Sequence, residues 1–431
     1  MRKLDFLLIF LFVLSLMQSC DSDLEMDYDI NDLKNYNASN TSLTGQFEAV
    51  WSALSLNYPI WDYEAEFGTD WDMVHKKYLP VFQELDRKYG MDNPVPDSVL
   101  WDYYNKVMNY LHDGHINLRI KNIHKGNEVC YSYSYYRIPN ILSSQYQFDK
   151  SYGDHILKYY FKRSLSLRYY NENSETNKLS EYKCANGNRY SNTDQFAVFD
   201  DNIIYYYLKD YHQTSDSLRM DLWRKWFEKV QKLKKESRLK GLVIDLRGNT
   251  GGVGDNNKYV IGSLVPSVYG LRNEIQIGYL REKKGIGRFE YAEPYPVYMP
   301  VLEEDHVTIT EQIVILTDSL TSSTAELACL FAKERDNMTI IGTRTWGCYS
   351  PLWTGHVNHY AGFGKIGDES LKETSFYISM PYATFLTKDK KIIESIGVKP
   401  DVEIVLDRNL FNETGRDNQL ERALKFIRTG K

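Results

Sequence analysis

The chain has 431 residues, with 52 Lys and Arg against 58 Asp and Glu and a formal net charge of -6. That length suits two or three domains of roughly 100–200 residues, each able to bury a core without disulfide staples. A hydrophobic content of 42% with 35 tyrosines excludes a disordered or collagen-like chain, and the acidic balance excludes nucleic acid as the main partner, because phosphate contact needs clustered Lys and Arg. The five cysteines (Cys20, Cys130, Cys184, Cys329 and Cys348) form no C-x-x-C pair, which argues against a zinc ribbon, a redox motif or a dense disulfide framework.

Arg2 and Lys3 precede an apolar run from Phe6 to Met17 that is too short to cross ~30 Å of hydrocarbon as a helix. A basic start, a short apolar stretch and small residues read as a secretory signal over residues 1–19. Ser19-Cys20 resembles the end of a bacterial lipoprotein signal. This implies a lipid on Cys20 that anchors the chain in the outer membrane, facing the periplasm or the cell surface; a plain signal with an incidental cysteine is the alternative. The acidic residues Asp21, Asp23 and Glu25 resemble a surface-export run or serve as a solvated linker, and residues 20–44 read as a polar tether.

Helical periodicity begins at Phe47, with Val50, Trp51, Leu54 and Tyr58 on one stripe. A second stripe carries Trp71, Val74, Tyr78, Phe82 and Leu85, and a third runs from Val99 to Leu111 with Asp97 as its expected N-cap. Residues 45–118 are thus expected to form a helical domain. Residues 119–199 are Tyr-rich with short β-like runs of unclear role, and no Gly-rich carboxylate loop of the PDZ kind is visible. From 200 to 414 the pattern turns α/β: strands at 203–208, 241–246 and 313–316 alternate with helices at 215–236 and from Ser323. Buried apolar strands alternating with helices predict a covered, largely parallel sheet. Residues 415–431 are left as a C-terminal tail.

Four segments carry chemistry-bearing residues. Leu111-His112-Asp113-Gly114-His115 follows the third stripe, and Asp245-Leu246-Arg247-Gly248-Asn249-Thr250-Gly251-Gly252 ends a buried strand in glycines. Glycines there let a ligand approach backbone N–H groups, as half of an oxyanion hole requires, or simply make a strand-to-helix turn. Thr321-Ser322-Ser323-Thr324-Ala325-Glu326 starts a helix; Ser323 and Glu326 have the spacing of a capping box, and the same helix N-terminus favours developing negative charge. The fourth segment is Glu394-Ser395-Ile396-Gly397-Val398-Lys399-Pro400-Asp401. Seven of the nine histidines show no metal-ligand spacing; His112 and His115 are three apart and could share a helix face, but no third ligand is evident, so neither a metal centre nor a cofactor is expected.

In this order the segments resemble the serine-peptidase family that includes tail-specific (C-terminal-processing) proteases and the tricorn core protease. The resemblance implies a mixed α/β (α+β) fold, with a helical N-terminal domain beside a crotonase-like ββα core. It implies Ser323 as nucleophile and the N–H groups of Gly252 and Thr324 as oxyanion donors. The position of the processing branch's Lys base holds Cys348, which lines the cleft or fills space as a small buried residue. The tricorn-like branch uses a His and a Glu, and His115 and Glu394 match them, as in secreted bacterial members. That branch has a serine just before its His; here it is Gly114. The implied activity is endopeptidase cleavage of peptides or proteins outside the cytoplasm. The alternative is an inactive peptide- or ligand-binding lipoprotein, as in retinoid-binding repeats built on this scaffold. Substrate specificity, the oligomeric state and the pairing of Cys130, Cys184, Cys329 and Cys348 stay open.

Overall fold

A computed structural model of the chain describes residues 39–131, 163–187, 193–265, 276–285, 287–302, 306–352 and 365–431. The signal at 1–19, Cys20 and the tether up to residue 38 lie outside the described residues. The N-terminal stripes fold as α1 (Leu43–Asn57), α2 (Trp61–Glu66), α3 (Trp71–Lys88) and α4 (Asp97–Met108). Their aromatics are core: Phe47 stacks on Phe82 with centroids 4.6 Å apart, and Trp51 and Trp71 each donate an indole N–H to the other's carbonyl, at 2.9 and 3.2 Å. Asp97 is not the N-cap of α4. Pro96 takes that place with extended backbone, and the Asp97 carboxylate accepts from Asn122 at 2.6 Å and Asn127 at 3.1 Å. The fixed φ of proline suits the helix entry, which frees the aspartate to hold the following loop.

The remaining elements, in chain order, are β1 (Asn117–Lys121), β2 (Glu128–Tyr131), α5 (Arg163–Glu172), β3 (Leu179–Cys184), β4 (Gln195–Phe199), β5 (Ile203–Tyr207), α6 (Ser217–Lys235), β6 (Gly241–Asp245), α7 (Asn257–Val260), β7 (Gln276–Glu282), β8 (Tyr295–Tyr298), β9 (Gln312–Thr317), α8 (Thr324–Lys333), β10 (Met338–Gly342), β11 (Lys365–Gly367), β12 (Phe376–Ser379), β13 (Ala383–Leu386), β14 (Val402–Glu403), α9 (Arg408–Thr414) and α10 (Asn418–Thr429). The central sheet has the order β14-β10-β9-β6-β5-β4-β3. Its first five strands are parallel, and β4 and β3 extend it antiparallel. Strands β5 and β6 are buried at every residue, as a sheet covered on both faces requires. Ile204 and Tyr206 face a core with Trp226 of α6 and Phe331 of α8, while Ile203, Tyr205 and Tyr207 face Leu167 and Tyr170 of α5 and Leu420 and Leu424 of α10.

A second sheet, β11-β12-β1-β2, packs its apolar face on the N-terminal helices, so Ile366, Phe376 and Ile378 share a core with Phe47 and Leu100. A third joins β13, β7 and β8. Within 119–199, the described β2 belongs to the second sheet and β3 and β4 to the central one. The stretch read as a tail contains α10, whose Leu420 and Leu424 are buried against the central sheet. Cys329 and Cys348 are buried free thiols.

A buried ionic cluster ties the end of β6 to α10. Arg247, just after β6, donates to Asp245 at 2.7 Å, to Asp417 at 2.8 and 3.0 Å and to Gln419 at 2.9 Å. Asp417 is also the N-cap of α10, accepting from Gln419 and Leu420 N–H. The start of the glycine loop and the last helix are thereby held by one buried guanidinium.

Candidate active site

The glycine loop after β6 and the loop leading into α8 are joined by four hydrogen bonds. Gly248 N–H donates to Asp318 at 2.9 Å, the Thr321 hydroxyl to the Leu246 carbonyl at 2.9 Å, Ser322 N–H to the Asn249 carbonyl at 3.0 Å and the Thr324 hydroxyl to the Gly252 carbonyl at 2.7 Å. Ser323 sits at their junction, partly exposed, as the N-cap of α8 with φ 57° and ψ -125°. A non-glycine residue held at positive φ is strained and points to function. The opposing loop must come close: a Cβ added to Gly251, itself at φ +91°, would lie 2.6 Å from Ser323 Cβ. Among the described residues, neither Gly252 N–H nor Thr324 N–H donates a hydrogen bond, and the Thr324 hydroxyl holds the two peptides together.

Glu326 forms the carboxylate half of the expected capping box, accepting Ser323 N–H at 3.1 Å, and does much more. It also accepts the Thr345 hydroxyl at 2.5 Å and the N–H groups of Gly347 and Cys348, both at 2.7 Å. Burial pushes its carboxyl up to about 7, against the opposing pull of these donors. Glu326 is therefore the link that carries the 345–348 segment to the N-terminus of α8.

The same segment meets His115. Asp113, His115 and Cys348 each bring a donor atom to one place, all within 4.8 Å of one another. The backbone of 111–115 is set by Glu64 of α2, which accepts His112 N–H and its Nδ1, both at 2.7 Å, and by Asp113 Oδ1, which accepts His115 N–H at 2.6 Å. His112 is thus taken by Glu64, and the donors brought beside His115 are Asp113, two residues before it in sequence, and Cys348 from the distant 345–348 segment. The Gly114 departure has a steric cause, since a Cβ there would meet Trp346 Nε1 at 2.5 Å and Cys348 Sγ at 2.9 Å. A serine does not fit where the indole and thiol stand. Cys348 is buried, as expected of a small space-filling residue, with its sulfur within 4.8 Å of a His115 ring nitrogen.

Glu394 is buried on the other side of this segment, accepting Ser350 N–H at 2.5 Å and Tyr349 N–H at 3.1 Å. Tyr63 of α2 donates to its carbonyl. Burial, and then the neighbouring Asp113, holds its carboxyl well above the usual range, and burial followed by Glu64 pushes Asp113 up to about 7. Burial pushes His115 down to about 4, partly offset by the Ser350 backbone. The imidazole is therefore neutral near pH 7, the form a general base needs. Among the described residues no hydrogen bond joins Ser323 to His115 or His115 to Glu394, and such contacts commonly tighten only with substrate. Asp113 and Glu326 are the site residues that sequence reasoning passed over, although one adjoins the histidine motif and the other closes the Ser323 box.

With this geometry described, comparison with known proteins is direct. A family model described as peptidase family S41 matches residues 208–404. A tricorn protease of Thermoplasma volcanium is 26% identical over 195 residues, which are 44% of this chain and 15% of that protein, so the chain spans a small part of the curated relative it matches. A crystal structure of a candidate peptidase from Parabacteroides merdae ATCC 43184 shares the fold, with a TM-score of 0.57 and 19% identity over 90% of this chain and 96% of that one. The glycine loop, the α8 N-terminus and the Glu394 segment all fall inside the family match, while the His115 segment precedes it. Residues 208–404 of this chain are a peptidase family S41 domain.

Proposed function

We propose that the chain is a tricorn-like serine endopeptidase that cleaves peptides or proteins outside the cytoplasm, tethered to the outer membrane through a lipid on Cys20. The observation that carries the reading is Ser323, strained at a helix N-terminus against a glycine loop with two N–H groups beside it. In this reading the Ser323 hydroxyl attacks the scissile carbonyl, and His115 takes its proton and returns it to the leaving amine. Water then releases the acyl group by the same route. The Gly252 and Thr324 N–H groups hold the oxyanion, each such donor being worth ~3 kcal/mol in transition-state stabilisation. A fluorophosphonate probe tests it: the protein is expected to label, and Ser323→Ala to abolish labelling. An unlabelled wild type would assign the scaffold to peptide or ligand binding instead.

His115 pushed down to about 4 has a kinetic consequence. A base works only when unprotonated, so a lowered value extends activity toward acid. The acid limb of kcat/KM is expected near pH 4 to 5, below the ordinary histidine value of about 6.5. A limb at or above the ordinary value would remove His115 from the role of general base.

Glu394 is the orienting group in this reading. A second candidate, Asp113, is favoured by one distance, since its carboxylate lies within 4.8 Å of a His115 ring nitrogen while Glu394 is engaged by Tyr349 and Ser350 N–H. Glu394→Gln is expected to lower kcat by about a hundredfold or more, and Asp113→Asn by less. The reverse order in steady-state kinetics would transfer the role to Asp113.

A further inference from the structure

We propose that Asp113, His115 and Cys348 form a binding site for a zinc-class divalent cation, and that its occupancy silences the enzyme by withdrawing His115. The silencing, though not the metal binding, rests on the peptidase reading above. The case begins with two buried polar atoms that have no partner. Among the described residues, neither Asp113 Oδ2 nor His115 Nδ1, both inaccessible, makes a well-formed hydrogen bond, although Tyr58 and the Ser350 backbone lie close enough to influence the two groups, and leaving such atoms unpaired is costly. Their residues, Asp113 and His115, belong to the cluster that Cys348 completes.

The donor set selects the ion. One imidazole, one thiolate and one carboxylate suit zinc and its borderline relatives, whereas magnesium and calcium prefer all-oxygen shells. Three protein donors leave the fourth tetrahedral position to water. Tetrahedral zinc bonds of about 2.0–2.3 Å put the donors roughly 3.3–3.8 Å apart, so a cluster spanning 4.8 Å needs to close by about 1 Å. Rotation of the Cys348 side chain supplies such a movement, and the absence of a Cβ on Gly114 leaves the sulfur its approach. The donors are also supported from behind: Asp113 Oδ1 accepts His115 N–H at 2.6 Å and Glu326 accepts Cys348 N–H at 2.7 Å, leaving the other atoms to face the ion. On binding, the Cys348 S–H bond breaks, the sulfur–metal bond forms and the proton leaves to solvent. No oxidant or reductant is involved.

Cobalt(II) gives a readout that does not depend on activity. Titrating the purified protein with cobalt chloride is expected to produce a thiolate-to-cobalt band in the near ultraviolet that saturates at one ion per chain and is displaced by zinc chloride. Cys348→Ala is expected to abolish the band, Asp113→Asn to weaken cobalt affinity about tenfold or more, and Cys184→Ala to leave it unchanged. X-ray absorption of the zinc-loaded wild type, which needs no variant to fold, is expected to show one sulfur in the shell. No band in the wild type, a band that survives Cys348→Ala, or a shell without sulfur would overturn the site. In the same preparation zinc is expected to slow fluorophosphonate labelling of Ser323 and a chelator to restore it. Labelling unaffected by bound zinc would overturn the silencing, whereas a cobalt band in a protein that never labels would keep the site and reject the peptidase reading.

Discussion

Ser323→Gly will give a protein that melts higher than wild type and hydrolyses peptides at least ~10⁴-fold more slowly. The two halves of this result have one cause. Ser323 holds φ 57° and ψ -125°, a region that costs an L-residue about 1–3 kcal/mol. Glycine removes the strain because it has no Cβ, and it gives back a few tenths to 1 kcal/mol through the extra freedom of the unfolded chain. A net gain of about 1 kcal/mol corresponds to roughly 2–4 °C for a domain of this size. Ser323→Ala provides the contrast: it also lacks the hydroxyl, so it is equally inactive, but it keeps the Cβ and the strain. Differential scanning calorimetry of the pair separates the contributions. A glycine variant melting no higher than the alanine variant would show that the Ser323 backbone stores no strain, and hydrolysis by either would remove Ser323 from the chemistry.

The second large effect lies beyond the reacting atoms. Arg247→Met will lower stability by about 3–5 kcal/mol in urea denaturation, because it strands Asp245 and Asp417 as buried carboxylates without their shared cation. Volume is nearly conserved, so a cavity is not the cause. The loss is expected to concentrate at two places. α10 loses the partner of its N-cap, and the loop from Gly248 to Gly252 loses its anchored start. Hydrogen exchange should therefore accelerate in α10 before it does in β9 or β10. A variant within 1 kcal/mol of wild type would mean that water or a rearranged Gln419 replaces the guanidinium at little cost.

Strands and helices of the central sheet were readable because burial on both faces writes itself into the chain as unbroken apolar runs. Gly241–Asp245 and Gln312–Thr317 lie within a residue of their expected bounds, and α8 starts just after Ser323. The site motifs were readable for a related reason: a strained serine beside Glu326, and glycines that let one loop touch another, restrict which residues fit. Other features depend on contacts that no local pattern encodes. β1 pairs with β12 from the opposite end of the chain, so its short alternating run could not be assigned a sheet. Gly114 looked like a missing serine until Trp346 and Cys348 were seen to occupy its space. Asp97 matched a capping signal that Pro96 satisfied through its ring geometry.

The bond between Arg247 and Asp417 also bears on the order in which the folded parts are completed. Its partners are separated by 170 residues, so their pairing closes a long loop. The glycine loop's anchor is therefore complete only once α10 has docked, which makes it a contact of high sequence separation. A chain in which α10 has not docked is thus expected to lack a fixed glycine loop, whatever side chains it already carries.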